Sequence, residues 1–250
     1  MSVHEQAAHG FEAGAGAYER GRPDYPPAAI DWLTEQLSLR PGRVLADVGA
    51  GTGKLTRALL ASGATVLAIE PVAGMRELLA REAPAARRLD GTAERLPLAD
   101  SSVDAIVVAQ AFHWFDGPRA LVEFHRALRP LGRFALVWNR RRSEQSQWLQ
   151  INAILDRYRG DTPSHASGNW RQALEATELF APAGEFNTAF ELAHDSAQLV
   201  DRITSTSFIA ALDDARRSEV VEQVLALTAS GPQPLVLGYD CEISLFERRD

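Results

Sequence analysis

The chain has 250 residues, 46% hydrophobic and 24% charged, with a formal net charge of −7 at pH 7, a balance that argues against the broad positive surface typical of nucleic-acid-binding proteins. It contains one cysteine, Cys241, no run of about 18 apolar residues that could span a membrane, and no secretory-signal pattern over residues 1–10. We therefore expect a soluble, cytoplasmic protein with one core fold, without disulfides, a metal site, or nucleic-acid or membrane partners.

A helix is predicted near the N-terminus. Pro26 and Pro27 favour its start, Ile30, Leu33 and Leu37 would share one face, and Pro41-Gly42 would end it. From residue 43 to residue 138, short β-branched runs then alternate with helical patterns, as expected for a parallel sheet covered on both faces. The predicted strands span residues 44–48, 65–70, 87–90, 103–109 and 133–138, and the helices between them span residues 55–60, 75–81 and 120–128.

This alternation predicts a doubly wound sheet whose strand order reverses beside the first strand, where ligands bind at the carboxyl ends of the strands. Further along the chain, helical patterns cover residues 145–158 and 168–180, followed by a possible strand over 186–192 and a helix over 213–227. Residues 239–247 alternate apolar and polar side chains, which predicts a last, antiparallel strand at a sheet edge.

A glycine-rich turn joins the first predicted strand to the first core helix, in the segment Asp47-Val48-Gly49-Ala50-Gly51-Thr52-Gly53-Lys54. Glycine allows positive φ and lets a ligand lie directly on the main chain. The dinucleotide fingerprint requires a third glycine where Lys54 stands, and an acidic Asp47 sits poorly beside a pyrophosphate. Asp47 instead suits the ammonium group of an amino-acid ligand, so the turn argues against NAD.

A second carboxylate, Glu70, follows 23 residues after Asp47 at the end of the second predicted strand. There it could accept both hydroxyls of a ribose, or simply be a solvated acid at a strand end. Pro71 and Met75 could form an apolar floor under a purine, although Met75 could equally be core. Backbone and side-chain groups of the 90–94 loop, at Thr92, Ala93 and Glu94, could contact the other edge of the purine.

These motifs resemble the class I S-adenosylmethionine-dependent methyltransferases, in the small-molecule branch called methyltransferase type 11. The resemblance covers nearly the whole chain, and the segments that carry it span residues 18–26, 47–53, 69–71, 91–98, 102–104, 110–115 and 137–139. It implies a Rossmann-like α/β fold with a seven-stranded, mostly parallel sheet, an antiparallel last strand and helical cap insertions. As a single domain, the chain would comprise cofactor-covering helices over 1–40, a cofactor-binding core over 41–140, a helical cap over 141–185 and a sheet-completing part over 186–250.

The resemblance also implies site residues for S-adenosyl-L-methionine and its product, S-adenosyl-L-homocysteine. The glycine turn with Ala50 would hold the methionine part, Glu70 the ribose and Ala93 the adenine; many relatives carry Asp where this chain has Thr92, which weakens that contact. Gln110 would lie near the amino group, and Tyr18 and Arg22 near the carboxylate of the cofactor.

His113 and Trp114 follow the fourth predicted strand, the place that would face the transferring methyl group. His113 could accept a proton from an acceptor hydroxyl or amine, or could only shape the pocket. Trp114 and Asn139 would line the acceptor pocket. We therefore expect methyl transfer to a small-molecule acceptor, by a monomer or homodimer; the alternatives are a non-catalytic S-adenosylmethionine-binding regulatory or partner protein and an NAD(P)-dependent oxidoreductase.

Overall fold

A computed structural model describes residues 15–142, 144, 146–163, 165, 168–229, 231 and 233–250. The prediction that residues 1–10 carry no secretory signal concerns a segment that lies outside the described residues. The chain forms two compact units. Unit 1 comprises Met1–Pro23, Asn139–Thr162 and Ala189–Asp240, and unit 2 comprises Asp24–Trp138, Pro163–Thr188 and Cys241–Asp250. The division of a single domain into four segments stays a prediction.

Residues 15–21 are helical, and the elements after them follow the order expected of an α/β fold. The α-helices that follow are α1 Pro27–Gln36, α2 Lys54–Leu59, α3 Ala73–Glu82, α4 Gly117–Ala127, α5 Ser146–Leu155, α6 Asn169–Ala176, α7 Ser196–Thr204, α8 Ser207–Ala210 and α9 Asp214–Thr228. The strands are β1 Val44–Val48, β2 Thr65–Ile69, β3 Arg87–Leu89, β4 Val103–Ala109, β5 Leu128–Arg141, β6 Phe180–His194 and β7 Leu235–Arg248. Short 3-10 turns span Leu60–Ser62, Phe112–Trp114 and Asp156–Tyr158.

The strands form a seven-stranded sheet in the order β3-β2-β1-β4-β5-β7-β6. Strand β1 pairs in parallel with β2 on one side and with β4 on the other, and β2–β3 and β4–β5 are also parallel. The chain order therefore reverses beside β1, and the carboxyl ends of β1 and β4 open at this switch point. The predicted Rossmann-like sheet, seven-stranded and mostly parallel with an antiparallel last strand, is confirmed. The expectation that this last strand lies at a sheet edge is wrong, because β7 lies between β5 and β6 and β6 forms the edge.

Several predicted boundaries differ from the structure. Helix α1 ends at Gln36, well before Pro41, and Ser38 has φ 51°, a left-handed conformation that does not continue a helix. The predicted helix over 168–180 is shorter, because α6 ends at Ala176 and Phe180 already begins β6, where its ring packs 4.6 Å from that of Phe134. The predicted start of α5 at Gln145 lies outside the described residues.

Each unit has its own apolar core. In unit 2, side chains of β1, β4 and β5 pack against α4 around fully buried residues such as Ile106, Phe124 and Phe134. In unit 1, Trp148 and Tyr239 are fully buried among apolar residues of α5, α7 and α9. Cys241 is buried and free. None of the helices in the described ranges has both the length and the apolar character needed to cross a membrane.

Candidate functional site

Three glycines shape the turn between β1 and α2, and all three have positive φ: +70° at Gly49, +57° at Gly51 and +89° at Gly53. A Cβ on Gly49 would lie 2.9 Å from the Cβ of Ala111, and one on Gly53 would lie 3.1 Å from Cγ of Leu79. A Cβ on Gly51 would meet nothing within 4 Å. The outer two glycines are thus required by packing as well as by φ, whereas the backbone at Gly51 faces open space that a ligand can occupy.

Asp47, in β1 directly before this turn, is a buried carboxylate with one satisfied oxygen. Its side chain is 1% exposed, and Oδ2 accepts a 2.5 Å hydrogen bond from Oγ1 of Thr56. Among the described residues, Oδ1 has no hydrogen-bond partner. Burial raises the pKa of Asp47 to about 7, the bond from Thr56 opposes the rise and the nearby Glu70 adds to it. A cationic donor at Oδ1 would relieve this cost.

Thr52 is a candidate site residue that the sequence analysis did not single out. It is 1% exposed, and its Oγ1 has no hydrogen-bond partner among the described residues. Buried polar atoms in native proteins are nearly always hydrogen-bonded. Two such atoms in one segment, Oγ1 of Thr52 and Oδ1 of Asp47, indicate that a polar ligand completes the site. A hydroxyl residue inside a glycine turn was the available signal.

Glu70 follows β2 and holds the glycine turn by main-chain hydrogen bonds. Its Oε2 accepts from the N–H of Gly51 and its Oε1 from the N–H of Val72, both at 2.9 Å. Burial raises the pKa of Glu70, although both N–H groups and Arg76 oppose the rise. Since each carboxylate oxygen can accept a second bond, Glu70 can still bind a hydroxyl of a ligand. Its predicted role toward ribose stays a prediction.

The loop after β3 is compact and bonded to its surroundings. Ala93 is buried, and the N–H of Arg95 donates to the carbonyl of Thr92 at 3.2 Å. Oε1 of Glu94 accepts from the N–H of Asp116 at 2.9 Å, which ties this loop to the start of α4. In α3, Met75 is 2% exposed. The proposed cofactor contacts of these residues and of Pro71 stay predictions.

Two of the predicted residues, Gln110 and His113, lie just after β4, the first with an unusual backbone conformation and the second packed against tryptophans. Gln110 has φ 59°, rare for a residue with a side chain, while its N–H donates to the carbonyl of Val137 at 2.9 Å. Such strain persists where surrounding structure holds it and clusters at functional sites. His113 lies in the 3-10 turn, with its ring centroid 4.8 Å from that of Trp114 and 5.3 Å from that of Trp138.

The remaining predicted residues, Tyr18, Arg22 and Asn139, belong to unit 1. The guanidinium of Arg22 lies over the Tyr18 ring at 5.0 Å, and its Nη2 donates to the carbonyl of Ser205 at 2.9 Å. Their roles toward cofactor or acceptor stay predictions. In unit 2, one hydrogen bond joins Asp47 to Thr56 and a second joins Glu70 to Gly51.

Comparison with known proteins identifies this architecture. A family model described as a methyltransferase domain matches residues 46–136, the segment that contains the glycine turn and Glu70. An uncharacterized methyltransferase of Mycobacterium tuberculosis is 39% identical over 229 residues, which cover 89% of this chain and 86% of that protein.

Solved structures share the fold. A proposed type II methyltransferase from Anaeromyxobacter dehalogenans has a TM-score of 0.63 and 26% identity, covering 91% of this chain and 97% of that one. A geranyl diphosphate C-methyltransferase from Streptomyces coelicolor, solved with S-adenosyl-L-homocysteine, has a TM-score of 0.51 and 17% identity, covering 89% of this chain and 76% of that one.

Proposed function

The chain belongs to the class I methyltransferase family, and from this premise we propose that it transfers a methyl group from S-adenosyl-L-methionine to a small-molecule acceptor. The observation that carries the proposal is the buried carboxylate of Asp47, whose Oδ1 lacks a partner among the described residues, beside the open backbone of Gly51. A ligand with an ammonium group and a polar, uncharged body fits this site, and a pyrophosphate does not.

The residues of unit 2 fit the cofactor in their chemistry. Asp47 would pair with its ammonium group, Thr52 would donate or accept a hydrogen bond, and Glu70 would hold a ribose hydroxyl while keeping the N–H of Gly51 in place. When bound, S-adenosyl-L-methionine supplies an electrophilic methyl group on a sulfonium centre. Holding an acceptor in line with that group accounts for most of the acceleration, because the sulfur leaves as a neutral thioether and needs no protonation.

Unit 2 also offers a group that can move a proton. His113 is half-buried, and its ring lies against those of Trp114 and Trp138. We propose that His113 accepts the proton of an acceptor hydroxyl or amine as the methyl group is transferred, and that Trp114 shapes the acceptor pocket. A carboxylate acceptor would need no base, so the same residue would then only position it.

Binding of the cofactor can be tested before an acceptor is known. Isothermal titration of S-adenosyl-L-homocysteine should give micromolar affinity for the wild type and at least about tenfold weaker binding for Glu70→Ala, which loses charge-assisted hydrogen bonds. Glu123→Ala is the matched control, because Glu123 also accepts a main-chain N–H, that of Leu96 at 2.8 Å, outside the glycine turn.

The outcomes separate the proposed enzyme from its rivals. No binding of S-adenosyl-L-homocysteine, or binding of NADH in its place, would refute the cofactor assignment. Tight cofactor binding without methyl transfer from labelled S-adenosyl-L-methionine to any compound of a broad metabolite pool would instead support a regulatory, non-catalytic protein.

A further inference from the structure

Unit 1 contains a group of arginines around one tryptophan. Arg141 at the end of β5 and Arg202 in α7 place their Cζ atoms 4.8 and 5.6 Å from the Trp148 ring centroid. The pKa of Arg141 lies well below its usual range, first because of burial and then because the guanidiniums of Arg202, Arg22 and Arg159 face it. Like charges are thus held close together in this unit.

The hydrogen-bond partners of the two central arginines are neutral. Arg141 donates from Nη1 to Oδ1 of Asn152 at 2.7 Å and from Nη2 to Oγ1 of Thr206 at 3.2 Å. Arg202 donates from Nε to the hydroxyl of Tyr239 at 3.2 Å. Across the described part of the chain, neither arginine forms an ion pair with a carboxylate.

Arg202 is the buried member of the group that has an unsatisfied donor. The residue is 3% exposed, and its Nη1 has no hydrogen-bond partner among the described residues. The adjacent Asp201 pairs with Arg20 instead, through two 2.8 Å bonds. An unpaired buried guanidinium is strongly unfavourable, so proteins retain one where a counterion completes it.

The remaining groups that face Arg202 do not supply that charge. The hydroxyl of Tyr239 lies 3.4 Å from Nε2 of His194, whose pKa is lowered to about 4 by burial and then by Arg202, with Asp195 opposing. The imidazole is therefore neutral near pH 7. Asp156 pairs with Arg159 at 2.6 Å, so within the described part of unit 1 the positive charges of Arg141 and Arg202 have no carboxylate partner.

We propose that Arg141 and Arg202 form a binding site for an acid group of a ligand, a dicarboxylate or a phosphate, with Tyr239 as a neutral partner. Guanidiniums bind such oxyanions through paired N–H bonds. Two uncompensated positive charges favour a dianion over the methionine end of the cofactor, whose ammonium they repel. Identifying the ligand as the methyl acceptor rests on the proposed function; the anion site itself does not.

The site is tested by titrating succinate and inorganic phosphate into the cofactor-free protein in a dilute zwitterionic buffer, with dimethyl succinate as the uncharged probe. We expect at least one dianion to bind and the diester not to bind. Arg202→Met should weaken dianion binding about 10- to 100-fold, the loss of a charged hydrogen-bond pair. Arg157→Met is the matched control, because Arg157 is an exposed arginine of the same unit.

Stability supplies a second readout that separates an anion site from a structural arginine. Without an anion, Arg202→Met should melt at a higher temperature than the wild type, because the substitution removes an uncompensated buried charge. Succinate or phosphate should raise the melting temperature of the wild type but not that of the variant. Arg141→Met should behave alike, which keeps the test open if one variant fails to fold. Dianion binding that is equal in the wild type and both variants, or absent in all, would overturn the proposal.

Two analogues of the cofactor distinguish a separate anionic ligand from the carboxylate of the cofactor itself. S-adenosyl-L-homocysteine carries a carboxylate, and 5′-methylthioadenosine lacks it. If Arg202→Met leaves the affinities for both unchanged while weakening succinate or phosphate, the site serves a separate ligand, as proposed. If it weakens only S-adenosyl-L-homocysteine, the arginines bind the cofactor carboxylate and the proposal of a second ligand is wrong. Neither result depends on methyl transfer.

Discussion

Replacing Asp47 with Asn measures what the buried carboxylate costs the protein. The pKa of Asp47 is about 7 in the folded chain, against an ordinary value of 3.8. The folded chain therefore holds this proton more tightly than the unfolded chain does, so the contribution of Asp47 to stability is most favourable below pH 3.8 and falls as the pH rises to about 7. At pH 8 the difference between the folded and unfolded pKa values lowers the free energy of unfolding by about 4 kcal/mol.

Asn removes the charge but introduces a new cost. Its carbonyl can still accept from Thr56, while its amide N–H lies where Oδ1 has no partner among the described residues, which costs about 1–3 kcal/mol. We therefore expect Asp47→Asn to be more stable than the wild type by about 1–3 kcal/mol at pH 8, with no gain at pH 5. Urea unfolding at both pH values, followed by tryptophan fluorescence, measures the difference.

Asp104→Asn is the matched control with the opposite sign. Asp104 accepts from the N–H of Val44 at 2.8 Å and pairs with Arg129 at 2.7 Å and Arg43 at 2.9 Å. Although burial raises its pKa, these partners outweigh it and hold the pKa below its usual range. Asp104→Asn should thus be destabilising by about the same amount at pH 5 and at pH 8, because the carboxylate is ionised in both the folded and the unfolded chain at these pH values. An Asp47→Asn variant that is less stable than the wild type at pH 8, or whose gain does not change with pH, would refute the reasoning.

Three further predictions concern the glycine turn and unit 1. Gly49→Ala should lower the free energy of unfolding by about 2–4 kcal/mol in urea, from left-handed strain and a clash with Ala111; unchanged stability would contradict the packing. Gly51→Ala should lower the free energy of unfolding by only about 1–2 kcal/mol, since its Cβ meets open space. The same variant should abolish the calorimetric binding of S-adenosyl-L-homocysteine, and retained affinity would place the ligand elsewhere. The pKa of His194 is about 4 in the folded chain against 6.5 in the unfolded chain, so its contribution to stability is lost as the pH falls from 6.5 to 4. His194→Gln should therefore flatten the dependence of the melting temperature on pH between pH 5 and pH 7. An unchanged slope would exclude His194 as the source of that dependence.

The sheet and the glycine turn were predictable because their signals are local. Periodicity placed β1, β2 and β4 within a residue of their observed bounds, and the order of strands and helices predicted the switch point beside β1. Helix α7 was missed, although a signal was present in the capping box formed by Asp195 and Gln198. Helix α8 has four residues, too few for a periodic pattern.

The chemistry of the site depended on distant partners that no local pattern shows. The spacing of Asp47 and Glu70 indicated two carboxylates at strand ends, but not that burial would raise the pKa of both. The arginine site joins Arg141 and Arg202, 61 positions apart, and becomes visible only when the fold brings both to Trp148 with no carboxylate partner among the described residues.

The pairing of Asp47 with the ammonium group of the cofactor is tested most directly by proton release. S-adenosyl-L-homocysteine is titrated at pH 7 in buffers of different ionisation enthalpy, and the affinity is compared at pH 6 and pH 8. Because the pKa of free Asp47 is about 7 and a bound cation would lower it, binding should release about half a proton at pH 7, and affinity should rise with pH. Both effects should vanish in Asp47→Asn. Binding without proton release, with equal affinity at both pH values, would contradict the account.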